Sequence, residues 1–183
     1  QRPNAGCAQV SPNIFRTLGI QLKKGRFLDE HDNSAAPWAV VVNQAFVRRY
    51  FPNEDPIGKE IRLRYDPYPT EEGRPRQIVG VVGDIKQRGL AREPIPFMYT
   101  SFLQEPEIYP GGSIVAHLWQ DLAVRMAPGT RVSDLTKAIR QIVTELDPDQ
   151  PIANVMSMDQ VLRQDLSDTR SYMQLLSIFA VVA

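Results

Sequence analysis

The run Gln77-Ile-Val-Gly-Val-Val-Gly-Asp-Ile85 constrains this chain most. It is rich in β-branched residues and reads as the strongest strand in the sequence. Lys59 to Tyr65 alternates, with Ile61, Leu63 and Tyr65 on one side, which is the pattern of a half-buried strand. The two segments form a hairpin with an extended loop, because Pro67, Pro69, Gly73 and Pro75 break the chain between them. Trp38 to Val42 is a second β-branched run and reads as a buried strand. Pro96 to Phe102 is a further strand candidate, followed by a proline- and glycine-bearing loop from Leu103 to Gly112.

Helices are marked by their caps. Ser11-Pro12 opens one whose apolar face is Ile14, Phe15, Leu18 and Ile20, with Gly19 or Lys23-Lys24-Gly25 ending it. Asn43 caps a second, with Ala45, Phe46, Val47, Tyr50 and Phe51 packed and Pro52 ending it. Ser133 caps a third, with Leu135, Ile139, Ile142, Val143 and Leu146 at helical spacing. Ser157-Met-Asp-Gln160 is a capping box that opens a fourth. His117 to Met126 and Pro151 to Met156 read as strands beside these last two helices. The order predicts an α+β fold.

The composition, 43% hydrophobic and 23% charged, is that of a folded globular protein. Lys+Arg and Asp+Glu are equal at 21 each, so net charge supplies no attraction to nucleic acid. Cys7 is the single cysteine, which excludes an intrachain disulfide and a multi-cysteine metal site. His31 and His117 are far apart and neither lies in a metalloprotease frame. The run Asp29-Glu30-His31-Asp32 lacks the ligand alternation and following glycine of a calcium loop, and reads as a solvated turn. Gly80 and Gly83 lie inside a β-branched run, where glycine signals close backbone packing or a bulge and not a phosphate cradle. No Walker motif and no GxSxG elbow is present. The residues therefore nominate no catalytic, cofactor-binding or metal site.

Tyr172 to Ala183 carries no charge. It is either a core helix or the start of a membrane span, which needs about 20 apolar residues.

With these elements placed, the ordered segments resemble the MacB-like periplasmic core domain of FtsX-type ABC transporter permeases. The residues that carry the likeness are Val10-Ser-Pro-Asn-Ile-Phe-Arg-Thr-Leu-Gly-Ile20 with Gly25-Arg-Phe27, and Val42-Asn-Gln-Ala-Phe-Val-Arg-Arg-Tyr-Phe-Pro52 with Asp55-Pro-Ile-Gly-Lys59. Ile78 to Asp84, Asp147 to Pro151 and Met156 to Gln160 continue it. The set is similar in particular to the duplicated acidobacterial-type permeases. The resemblance implies a porter-like strand-helix-strand-helix subdomain (residues 1–26 and 104–170) with an inserted, smaller β-rich subdomain (27–103). It implies that 171–183 begins a transmembrane helix, and that the domain lies on the outer side of the cytoplasmic membrane. The implied partners are an ATP-binding subunit, a second permease copy or half, a periplasmic protein or exported substrate, and the membrane itself. No enzymatic step, cofactor or nucleic acid is implied. The competing readings are a soluble ligand-binding or interaction module, with Leu175, Leu176, Ile178 and Phe179 in its own core, and a small hydrolase with a spatially assembled site.

Overall fold

The structure is a computed structural model, and it describes residues 4–62, 75–86, 89–90, 92–104 and 121–165. These fall into two compact units. Residues 4–62, 75–86, 92–104 and 121–125 form the first, and 89–90 with 126–165 form the second.

The first unit is built on a mixed six-stranded sheet. Its elements in chain order are β1 (Gly6–Val10), α1 (Ile14–Leu18), β2 (Leu22–Gly25), β3 (Ala39–Asn43), α2 (Gln44–Tyr50), β4 (Glu60–Arg62), β5 (Pro75–Val82) and β6 (Phe97–Ser101). A 3₁₀ turn, Phe102–Gln104, follows β6. The strand order is β1-β6-β3-β5-β2. β1 runs parallel to β6 and β3 parallel to β5, while β3 is antiparallel to β6. β4 and β2 both pair antiparallel with β5, β4 along Pro75–Gln77 and β2 along Gly80–Val82.

β3 sits centrally and all five of its residues are buried, as its unbroken apolar run requires. Because side chains alternate along a strand, β3 feeds two cores. Ala39 and Val41 join Phe15, Leu28, Val82 and Tyr99 on one face. Val40 and Val42 join Phe46, Ile78, Val81 and Met98 on the other. α1 and the chain after β2 close the first face, with Phe27 stacked on Phe15 at 5.3 Å and Tyr99 edge-on to it at 5.2 Å. α2 closes the second, where Phe46 meets Tyr50 edge-on at 4.8 Å.

Buried polar groups pin the ends of β3. Asn43 caps α2 by accepting from Phe46 N at 2.9 Å, accepts also from Phe97 N, and donates to Ile95 O at 2.8 Å. Gln104 accepts from Ala39 N at 2.9 Å and donates to Pro37 O at 3.0 Å, so its amide continues the ladder where β3 begins.

In the second unit α3 spans Val132–Leu146. Its N-cap is Arg131 in extended backbone, not Ser133, which lies inside the first turn. The turn at Pro128-Gly129, with Gly129 at φ +83°, delivers Arg131 in the extended conformation a cap needs. Its carbonyl takes the first helical N–H groups, and its guanidinium bonds Asp134 at 2.8 Å. A second helical stretch runs over 158–165. It opens with the expected box: Ser157 N donates to Gln160 Oε1 at 2.7 Å, and Gln160 N donates to Ser157 Oγ at 3.3 Å.

β1 and β2 hydrogen-bond to β6 and β5, so the chain from Gly6 to Gly25 lies in the same sheet as β3 to β6, although the resemblance grouped residues 1–26 with 104–170. Residues 121–126 and 151–156 carry no strand; a strand exists only where a neighbour supplies the ladder, and among the described residues none does. His117 to Gln120 and the apolar tail 171–183 lie outside the described residues, and among those described no helix is long and apolar enough to cross a membrane.

Candidate functional site

Gly80, which invited a phosphate-loop reading, lies within β5 and faces the end of β2. A Cβ on Gly80 would meet Arg26 O at 2.0 Å, and one on Gly25 would meet Val79 O at 2.2 Å. Gly25 also has φ +71°. The two glycines let β2 pass against β5 at backbone distance, and β5 bulges against β3 between its Val40 and Val41 partners. Their role is packing.

The loop after β2 carries the acidic run. Arg26 grips Asp32 with both guanidinium nitrogens, Nη1 and Nη2 each at 2.7 Å from a carboxylate oxygen. Asp32 is buried and also accepts from Asp29 N at 2.9 Å. The bond to Asp32 raises the Arg26 pKa. Asp29 accepts from His31 N at 2.8 Å, which, with the His31 ring and Arg26, lowers its pKa. These carboxylates are engaged in closing the loop. Among the described residues no group of three or more His, Cys, Asp and Glu could hold a metal ion.

A cleft of about 230 Å³ lies beside this loop, bordered by Arg26, His31, Trp38 and Gln77. The buried Arg76 guanidinium lies over the Trp38 ring at 4.1 Å. Asp84, just past β5, accepts from Ala45 N at 2.7 Å and binds Arg48 at 2.7 Å, tying the sheet to the start of α2. Cys7 is exposed on β1 and in no disulfide. His117, and the loops 63–74 and 105–112 that carried aromatic and charged residues, lie outside the described residues.

The second unit differs in kind. α3 is strongly two-sided, yet none of its residues is buried among those described, and Ile142 and Leu146 are exposed. The contact that sequence reasoning missed is between the β5–β6 connection and the second helical stretch. Leu90 N donates to Asp165 Oδ2 at 2.8 Å, and Gly89 faces the same carboxylate. No sequence pattern links residues so far apart.

The arrangement is a stiff sheet clamped by internal polar bonds, joined in sequence to a helical unit. The comparisons agree with that plan. Residues 2–142 match the family described as MacB-like periplasmic core domain. The macrolide export ATP-binding/permease protein MacB of Aggregatibacter actinomycetemcomitans is 23% identical over 167 residues, covering 91% of this chain and 24% of that protein. The chain thus spans about a quarter of the length of the curated relative it matches. The crystal structure of the periplasmic region of MacB from Actinobacillus actinomycetemcomitans superposes with a TM-score of 0.54 at 21% identity, covering 78% of this chain and 56% of that one. That likeness establishes the mixed α+β fold, and the family match extends over more than half of the sequence. The chain belongs to the MacB-like periplasmic core domain family.

Proposed function

We propose that this chain is the extracytoplasmic domain of an ABC-transporter permease, and that it passes on motion driven by ATP in the cytoplasm without catalysing a reaction itself. The observation that carries this reading is the family match over residues 2–142. The relative spanning 91% of the chain is named as an ATP-binding and permease protein, which favours a permease domain over a free-standing binding module. In this reading the sheet unit carries the β-rich part and the unit around α3 belongs to the porter-like part. Residues 171–183 lead into the membrane on the inner-membrane side, and the domain projects into the periplasm. An ATP-binding subunit is the partner that supplies energy, and a second permease copy or half completes the assembly.

The architecture suits transmission. The central strand β3 is buried on both faces, its ends are held by Asn43 and Gln104, and Asp84 ties the end of β5 to α2, so the sheet moves as a body. The test is hydrogen exchange on the full-length protein with its ATP-binding subunit, with and without a non-hydrolysable ATP analogue. Nucleotide is expected to change exchange rates within residues 4–165. Identical exchange in both states, with nucleotide bound, refutes the reading.

A further inference from the structure

Gly89 and Leu90 belong to the second unit, yet in the chain they lie between β5 and β6 of the first. Both oxygens of one carboxylate meet them. Asp165 Oδ2 accepts the Leu90 N–H at 2.8 Å across 75 residues of sequence. Asp165 Oδ1 fills the space of the side chain Gly89 lacks: a Cβ there would lie 2.6 Å from it. Gly89 has φ +100°, a conformation that side-chain-bearing residues rarely adopt. The seat therefore needs a glycine for its backbone and its room, and a carboxylate for the amide.

Asp165 stands in the helical stretch 158–165, a few residues before the uncharged run Tyr172–Ala183. The connection it holds continues directly into β5, which pairs with β3, β2 and β4, and into β6, which carries β1. We propose that Asp165 is a latch, tying the β5–β6 connection to the helix that approaches the membrane, so that displacement of that helix is handed to the two strands through the chain itself. The inference rests on the permease reading above. A charge-assisted bond at the surface suits this use: it holds the connection at equilibrium and still opens when the helix is pulled.

The first experiment uses this chain alone. In the wild type the Leu90 amide is protected from exchange, and in Asp165→Ala it exchanges roughly tenfold faster, while amides of β3 and β5 keep their rates. Gly89→Ala gives the same loss by displacing the carboxylate. A Leu90 amide that exchanges freely in the wild type, or one unchanged in both variants, overturns the latch. The second experiment places Asp165→Ala in the full-length protein with its ATP-binding subunit. The nucleotide-dependent change in exchange at residues 83–96 is expected to fall at least twofold. A variant that responds as fully as the wild type refutes the latch and leaves the permease reading intact. A wild type that does not respond to nucleotide anywhere refutes the permease reading, and the latch with it.

Discussion

Replacing Gly80 by alanine places one methyl group where the structure has least room for it. The new Cβ would lie 2.0 Å from Arg26 O, 3.1 Å from Arg26 C and 3.3 Å from Val41 Cγ2. Relief requires the Arg26 backbone to retreat by more than an ångström. Arg26 is held by its N–H to Val79 O at 2.9 Å and by its side-chain grip on Asp32. On the other side stands β3, buried along its whole length. The cost is therefore at the upper end for overpacking, about 3 kcal/mol. For a chain of this size that lowers Tm by about 6–12 °C. Gly83 is the internal control, because a Cβ there meets nothing nearer than 3.8 Å. Gly83→Ala is expected to change stability by no more than about 0.5 kcal/mol. Thermal melting by circular dichroism and urea unfolding by tryptophan fluorescence, run on both variants, separate the two glycines. Equal stability in both variants refutes the packing account, and a loss of stability confined to Gly83→Ala refutes it more strongly.

Other consequences follow from the buried polar groups. Asp32→Ala removes the acceptor for Arg26 and Asp29 N; because the guanidinium is half-exposed and regains water, the loss in urea unfolding is about 2 kcal/mol. Asn43→Ala strips the cap of α2 and leaves Phe97 N and Ile95 O without their bonds, costing about 3 kcal/mol in the same assay. Acid has a defined direction. Asp29 is held below its ordinary value of 3.8 chiefly by the His31 N–H, and Asp55 below the same value chiefly by Lys24. Their stabilisation is fully present above 3.8 and is lost as pH falls through the lower folded values. The urea midpoint should thus decline below about pH 4, and less steeply in Asp55→Asn.

What the sequence revealed follows from where the causes are local. β3 and β5 are legible because β-branched runs make strands in almost any setting, and Asn43 is legible because its cap lies three residues from the amide it accepts. Gly80 was read correctly as a packing glycine because it interrupts such a run. β1 and β2 were not legible. Gly6-Cys-Ala-Gln-Val10 lacks a strand pattern, and Leu22-Lys-Lys-Gly25 is exposed throughout; each is a strand because β6 or β5 lies alongside. The Asp165 seat depends on residues brought together only by the fold, as does the Arg76–Trp38 stack.

The extracytoplasmic position is the claim on which the permease account turns, and thiol labelling measures it directly. The His31 side chain is 96% exposed, so His31→Cys in the full-length protein, with other cysteines removed, offers a surface thiol. A membrane-impermeant maleimide added outside intact cells, with the outer membrane made permeable, should label it at once. Labelling that appears only after the inner membrane is broken would place the domain in the cytoplasm and contradict the account.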